Sequence, residues 1–299
     1  MSRQHPFTPY MAVMPFVAAL AGVAFLSLMD AFMKEASLAA GAYTASLLRS
    51  LMGTAIIAPI WIARGIRWPR WDVMKLHLER GALSAMMALS FFYALTKLPI
   101  AEAIAISFIA PLIALYLARV LLGEEIKPQA IAASILGFGG CLIIVGGRIG
   151  QGEFDRDVGL GLAALIFSAL LYAYNFIVIR KQSQVADPIE VATFHSGVGG
   201  LVHLLAAPWF FMMPQTDVLS GIAAAAFLTV GGAMALAWAY ARAEAQALVP
   251  LEYSGFLWAS LFGWMFFRET VTLTTIAGTV LIVIGCLLAT RQRTEQTAL

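Results

Sequence analysis

Charge is scarce in this 299-residue sequence. The chain has 19 Lys and Arg residues and 17 Asp and Glu residues, so that 12% of it is charged, against about 25% in an average soluble domain. Apolar residues make up 61% of the chain, which excludes intrinsic disorder because disorder requires low hydrophobicity. The net charge is only +2 and no basic run is present. A nucleic-acid partner is therefore not expected.

Cysteine and histidine are also scarce, which limits the chemistry open to the chain. The two cysteines, Cys141 and Cys286, both lie in apolar stretches and indicate no extracellular disulfide framework. His195 and His203 share one apolar segment, at a spacing that separates them by roughly 80° around a helix. They do not share a narrow metal-binding face, so we expect no metal site and no cofactor, and a proton relay is the alternative role.

Long apolar runs fill most of the chain. A transmembrane helix needs roughly 20 apolar residues, and ten such helices with short connections fit the length. The first run lacks a clear cleavage site, so we interpret it as a retained helix. The expected fold class is an all-α membrane protein with ten transmembrane helices. The expected spans are residues 11–33, 43–63, 81–97, 101–121, 128–147, 159–179, 189–211, 219–241, 247–267 and 272–290.

The Lys and Arg residues between the spans indicate an orientation. If the N-terminus is cytoplasmic, 13 of the 19 lie in cytoplasmic segments, five lie in external segments, and Arg49 lies inside a span. Cytoplasmic loops carry the excess of positive charge in membrane proteins. The distribution therefore predicts that both termini are cytoplasmic.

The sequence also contains an internal repeat. A shift of 145 residues superimposes residues 124–142 on 269–287 with seven identities, among them Glu124 on Glu269 and Cys141 on Cys286. Each copy holds five expected spans, an odd number, so the second copy enters the membrane in the opposite direction. We therefore expect two inverted five-helix repeats, residues 1–150 and 151–299, an arrangement typical of alternating-access transporters.

Short motifs in both copies resemble a known family. The first copy contains the segment from Ala105 to Leu112 and then Glu124, whereas the second contains Pro250-Leu251-Glu252-Tyr253, Leu257-Trp258 and Arg268-Glu269. These motifs resemble the drug/metabolite transporter superfamily in its ten-helix EamA-type branch, and within it the YddG-type exporters of aromatic amino acids. The resemblance implies a multi-pass protein of the bacterial inner membrane that exports amino acids, as a monomer or a weak dimer.

Polar and aromatic residues inside the spans are the candidates for a substrate site, because polar groups in the membrane are costly unless they serve a function. Each also has a structural alternative: hydrogen bonds between helices, a packing kink at the proline, or lipid-facing aromatic bulk. Pro111 frees the carbonyl of Ser107, and Ser168, Tyr172 and Asn175 share a helix face. The substrate-binding candidates are Ser107, Pro111, Ser168, Tyr172, Asn175, Trp238, Tyr253 and Trp258.

Three charged residues are candidates for gating. A charge at the centre of a span costs about 2.5–3.5 kcal/mol, and a pair between Arg49 and Asp30 would relieve that cost. We interpret this pair as structural or as an outer-gate latch. Glu252, near the cytoplasmic end of the ninth span, could gate the inner mouth or simply pair with Arg242.

The function predicted from these features is secondary export of small metabolites, most of all aromatic or other neutral amino acids. The partners expected are the lipid bilayer and the small-molecule substrate. The sequence contains no Walker motif, so any energy for transport must come from gradients and not from hydrolysis by this chain. Export of drugs, nucleosides or sugar derivatives is the alternative within the class, and a passive channel is another. An integral membrane enzyme acting on lipids is the alternative from a different class, but the His, Asp or Glu cluster that it requires is not evident.

The orientation can be tested with reporter fusions. We expect a cytoplasmic reporter such as green fluorescent protein to be active after residue 299 and after residue 65, and a periplasmic reporter such as alkaline phosphatase to be active after residue 41 and after residue 214. The control is the opposite reporter at each position. Termini on different sides of the membrane would contradict the inverted five-span arrangement.

Overall fold

A computed structural model describes residues 9–65, 68–122, 128–150, 155–182, 185–240, 242, 251 and 253–290. All regular secondary structure within these ranges is helical, in agreement with the expected all-α class. The helices, numbered in chain order, are α1 (Pro9–Ala40), α2 (Ala42–Ala63), α3 (Trp71–Leu95), α4 (Ile100–Ser107), α5 (Ala110–Leu122), α6 (Pro128–Gly150), α7 (Arg156–Gln182), α8 (Pro188–Phe210), α9 (Thr216–Tyr240), α10 (Gly255–Phe267) and α11 (Leu273–Thr290).

Two helices extend furthest beyond the spans expected from hydropathy. α1 continues through Lys34 to Ala40 instead of ending at residue 33, and α3 begins at Trp71 instead of residue 81. Lys34 can lie inside a helix that is mostly apolar because its ammonium group pairs with Glu269. The first turns of α3 carry several charged residues, which hydropathy alone interprets as a loop.

The fourth expected span, residues 101–121, is interrupted. α4 ends at Ser107 and α5 begins at Ala110, so the break lies just before Pro111. Proline has no backbone N–H, so Pro111 cannot donate the helical hydrogen bond to Ser107 O. The sequence predicts a continuous span here, with a packing kink at the proline as the alternative. Of the ninth expected span, residues 247–267, the structure describes the part that forms α10, with residues 251, 253 and 254 before it.

Length and hydropathy qualify some of these helices as membrane spans on their own. Within the described residues, five segments are long and apolar enough: Val13–Ala40, Ala42–Ala63, Arg156–Asn175, Ile189–Phe210 and Thr216–Leu236. The other apolar helical segments found there are shorter, such as Gly255–Phe267 and Leu273–Gly285. The total of ten crossings stays a prediction from the sequence.

Helices from the N-terminal part of the chain pack mainly on helices from the C-terminal part. The most extensive contacts join α1 to α9, α6 to α11, α3 to α7 and α2 to α8. α4 contacts α10 as well. The core between them contains the large buried side chains Met33, Leu95, Leu98, Ile100 and Leu165.

Local signals define several helix ends. Gly41 separates α1 from α2 with a positive φ of 82°, and Gly65 follows α2 with a φ of 85°, a conformation that glycine adopts without steric cost. Asp187 caps α8, because its side chain accepts a hydrogen bond of 2.8 Å from the backbone N–H of Ile189. Pro188 at the first position of that helix also favours helix initiation, because proline has the helical φ and lacks an N–H that would otherwise have no partner in the helix.

α6 and α11 touch backbone to backbone at a pair of glycines. A Cβ atom placed on Gly140 would lie 2.5 Å from the carbonyl oxygen of Gly278, and one placed on Gly278 would lie 2.5 Å from the carbonyl oxygen of Gly140. Small residues permit such close approach between membrane helices. This contact, the α6–α11 seam, tolerates no side chain at either glycine.

We expect Gly140→Ala to lower the thermal stability of the purified protein, because the added methyl group must push the two helices apart. Overpacking of this kind costs about 1–3 kcal/mol. Gly139→Ala is the matched control, since a Cβ at Gly139 meets no atom within 4 Å. Equal melting temperatures for the two variants would contradict the close contact.

Candidate functional site

A polar cavity lies among α2, α3, α8 and α9. The space free of protein atoms at this cavity is ≈ 400 Å³, a volume that includes open solvent at its mouth. Its polar lining residues lie roughly two turns or more from the ends of their helices. These residues are Arg49, Ser50, Ser84, His195, Ser196 and Thr229.

Two glycines help to create the space in this cavity. A Cβ atom on Gly199 would have its nearest neighbour at 3.8 Å, so a methyl group would enter the cavity without a clash. A Cβ on Gly53 would lie 3.4 Å from Ser196 Oγ, an ordinary van der Waals contact. The walls are therefore formed in part by bare backbone.

Several polar groups at the cavity lack partners. Arg49 Nε, Ser84 Oγ and His195 Nδ1 are buried and have no hydrogen-bond partner among the described residues. In contrast, Ser50 Oγ donates to Ser46 O at 2.9 Å and Thr229 Oγ1 donates to the backbone of its own helix. An unsatisfied buried polar group costs about 1–3 kcal/mol, so the cavity is suited to polar contents.

Asp30 and Arg49, predicted as a pair, are near each other but do not touch. Each lies within Coulombic range of the other. The ion pairs found among the described residues, with a limit of 4.0 Å, do not include either of them. The guanidinium of Arg49 instead lies over the ring of Phe92, 5.3 Å from its centroid.

Three predicted substrate residues lie at α4, α5 and α10. Ser107 Oγ donates to Ala103 O of its own helix at 2.8 Å. Phe108, at the interruption between α4 and α5, contacts Tyr253 edge-to-face with ring centroids 5.2 Å apart. Pro111 is the second residue of α5, but its side chain lies outside the described residues, as does the whole of Glu252.

The three α7 candidates differ in their surroundings: two make packing or interhelical contacts, and the third has an amide oxygen without a partner among the described residues. Ser168 Oγ donates to Met87 O of α3 at 2.9 Å, which is the interhelical role given above as its alternative. Tyr172 packs beside a small cluster that contains Ala110 and Ala173. Asn175 is buried, and its Oδ1 has no hydrogen-bond partner among the described residues.

The two predicted tryptophans lie on different helices and contact other residues. Trp238, near the end of α9, is 37% exposed and lies under the guanidinium of Arg242, 4.1 Å from the ring centroid. Trp258 on α10 stacks on Phe262 at 6.1 Å. Among the described lining residues of the cavity, Arg49 and His195 are the two that the sequence analysis considered.

A buried ion pair at one end of the molecule is absent from the sequence-based predictions. Lys34 of α1 pairs with Glu269, and its Nζ also donates to Leu98 O at 2.7 Å. The second carboxylate oxygen of Glu269 accepts the backbone N–H of Ile100, at the start of α4, at 2.8 Å. Phe267 lies 5.1 Å from Lys34 Nζ. This set of contacts, the Lys34–Glu269 latch, joins α1, α4 and the end of α10.

A second polar cluster lies among α3, α7 and α8. Arg80 Nη1 donates to Gln182 Oε1 at 2.6 Å, which leaves the amide nitrogen of Gln182 to donate to His77 Nδ1 at 2.7 Å. His77 Nε2 therefore carries a hydrogen and donates it to Glu190 at 2.8 Å. The imidazole stacks on Phe194 at 4.6 Å. The hydrogen-bonded partners are about a hundred residues apart in the sequence, so no local sequence pattern predicts this cluster.

The acidic, histidine and cysteine side chains are dispersed in the described part of the chain. Within the described part of the chain, no group of three or more His, Cys, Asp or Glu side chains is placed to hold a metal ion. His195 faces the cavity, whereas Tyr43 donates a hydrogen bond to the backbone carbonyl of His203 and contacts its ring edge-to-face at 5.8 Å. The two histidines thus lie in different environments.

Comparison with protein families gives a match over most of the chain. The family described as the EamA-like transporter family matches twice, at residues 13–146 and at residues 159–291. A crystal structure of another protein superimposes with a TM-score of 0.63 at 22% identity, covering 94% of this chain and 98% of the other. That structural likeness shows a shared fold.

Several characterised transporters are similar in sequence. The pseudopaline exporter CntI of Pseudomonas aeruginosa is 28% identical over 279 residues, 93% of this chain and 95% of the exporter. The riboflavin transporter of Brucella anthropi is 24% identical, covering 81% of this chain and 85% of its own. The S-adenosylmethionine uptake transporter of Rickettsia prowazekii is 23% identical, covering 81% and 80%. None of these three is named as an exporter of aromatic amino acids.

We expect Lys34→Met and Glu269→Gln each to lower the free energy of unfolding by about 3–5 kcal/mol, because either change leaves one buried group of the latch without its partner. The double variant should recover part of the loss. Thermal unfolding of the purified protein measures both effects.

The exposed pair of Lys97 and Asp157 is the control for the latch. Its hydrogen bond of 2.8 Å raises the pKa of Lys97 above the ordinary value, but exposed ion pairs contribute little to stability. Lys97→Gln should leave the melting temperature unchanged. Equal effects of Lys97→Gln and Lys34→Met would contradict the special role of the latch.

Proposed function

Because the chain belongs to the EamA-like transporter family, we propose that it is a secondary transporter that exports a small metabolite by alternating access. The cavity among α2, α3, α8 and α9 is the observation that carries this proposal. It places unpaired polar groups deep among apolar helices, where they are costly unless a polar cargo or water satisfies them.

Two inverted halves provide the machinery in this proposal. If residues 1–150 and 151–299 are equivalent, α1 corresponds to α7, α2 to α8, α3 to α9 and α6 to α11. Exchanging the halves then converts the α1–α9 contact into the α7–α3 contact, and leaves the α2–α8 and α6–α11 contacts as they are. The observed pairing supports an exchange of this kind, and the two successive family matches support a duplication.

The Lys34–Glu269 latch acts as a gate at the end of the molecule where α1 meets α4 and α10. It holds three parts of the chain together through charge-assisted hydrogen bonds. Opening at that end requires these contacts to separate. With the predicted orientation, the latch closes the external side while cargo enters from the cytoplasm.

Amino acids are the cargo that we propose for this exporter, and the aromatic preference follows from the aromatic candidates Trp238, Tyr253 and Trp258. The relatives are named for pseudopaline, riboflavin and S-adenosylmethionine, so they support metabolite transport in general. Export of another metabolite is the second candidate function, and the diversity of these named cargoes favours including it in the test.

Counterflow of radiolabelled Trp, Phe and Thr into proteoliposomes, with and without an imposed proton gradient, tests the function. We expect saturable uptake against preloaded unlabelled amino acid, because a carrier exchanges its cargo whereas a channel does not. Failure to move any of the three would contradict the amino-acid cargo.

The same assay tests the residues predicted from the sequence at α4 and α7, which do not line the cavity and would bind the cargo elsewhere along its route. Ser107→Ala and Asn175→Ala should each lower the initial rate about tenfold, the effect of one lost hydrogen bond to cargo. Ser220→Ala is the matched control, since Ser220 is exposed in the first turn of α9. Unchanged transport in both test variants would show that the site does not lie at α4 and α7.

A further inference from the structure

We propose that Arg49, with Ser84 and His195, forms a binding site for the carboxylate group of the cargo in the cavity among α2, α3, α8 and α9. The inference rests on the proposed transport function and assigns to it a class of substrate, namely small carboxylic acids. The three side chains come from three different helices, and each has a buried polar atom without a partner among the described residues.

Two guanidinium groups lie near the imidazole of His195 at the cavity. Arg49 and Arg80 both lie within Coulombic range of His195. Asp30 is the carboxylate in Coulombic range of Arg49, but it forms no ion pair with it within 4.0 Å. Buried charges are normally paired, so a guanidinium that stands apart from its nearest carboxylate favours an anionic ligand.

The geometry of Arg49 suits a carboxylate in particular. A guanidinium presents a planar fork of donors that matches the two oxygens of a carboxylate. The ring of Phe92, 5.3 Å from the guanidinium carbon, limits the orientation of that fork. Ser84 Oγ and His195 Nδ1 can add hydrogen bonds to the same anion, or to another polar part of the cargo.

The cavity is open at its mouth, so the rest of a small acid would extend from Arg49 toward that opening. Gly199 lines the cavity, and a methyl group there would have no neighbour closer than 3.8 Å. Gly199→Ala therefore narrows the cavity without displacing a helix. This variant separates occupancy of the cavity from damage to the fold.

Ligand-dependent thermal stabilisation of the purified protein tests the site. The probes are L-phenylalanine, L-histidine and benzoate, each compared with its amide, and inorganic phosphate as a different anion. We expect at least one acid to stabilise the wild type more than its amide does. Arg49→Gln should raise the acid concentration needed for half-maximal stabilisation about tenfold to hundredfold, which corresponds to the loss of a hydrogen bond to a charged group. Arg49→Lys should raise that concentration less.

Further variants control for the possibility that a change at Arg49 disrupts folding. Arg70→Gln removes an exposed guanidinium outside the cavity and should bind the acid as the wild type does. If Arg49→Gln does not fold, Gly199→Ala and Ser84→Ala must each weaken binding of the acid. Equal stabilisation by acid and amide, stabilisation by phosphate alone, or full acid binding by a folded Arg49→Gln variant would overturn the inference.

Counterflow distinguishes this inference from the proposed function. Saturable transport that Arg49→Gln retains at the wild-type rate would overturn the carboxylate site while supporting the transporter. Acid binding that depends on Arg49, combined with no saturable transport of any bound acid, would support the site and contradict the transporter.

Discussion

A guanidinium inside an apolar helix bundle sets the central constraint on this structure. Arg49 lies two turns into α2, next to Asp30 of α1 and over the ring of Phe92. The low dielectric of the surroundings makes its charge costly unless other groups stabilise it. The polar lining of the cavity and the ring of Phe92 lie around this guanidinium, and the candidate site is built on it.

Most of the helices could be predicted from the sequence, because hydropathy and the glycine and proline residues that interrupt helices are local features. The interruption before Pro111 follows from a missing N–H, and Gly41 separates two helices at a positive φ. The continuation of α1 through Lys34 could not be predicted in the same way. Its charge is neutralised by Glu269, 235 residues away in the sequence, and no local pattern reports such a partner.

The site was harder to predict than the fold for the same reason. Sequence alone identified Arg49 as costly, and the structure places it at the cavity with His195. Ser84 and Gly199 carry no signal in the sequence, since their roles depend on which faces of α3 and α8 meet. Ser168, in contrast, was predicted as a site residue, but its hydroxyl donates a hydrogen bond to the backbone carbonyl of Met87. Helix pairing decides which polar residues remain available.

The α6–α11 seam has a mechanical consequence for any rearrangement of the bundle. The two helices meet through backbone at Gly140 and Gly278, and the side chains of Ile144 and Ile282 pack directly beside these glycines. Interfaces of this density resist sliding and shear. For a rearrangement of the proposed kind, we therefore expect the remaining helices to move about the seam as an axis, with the largest displacements at the points farthest from it.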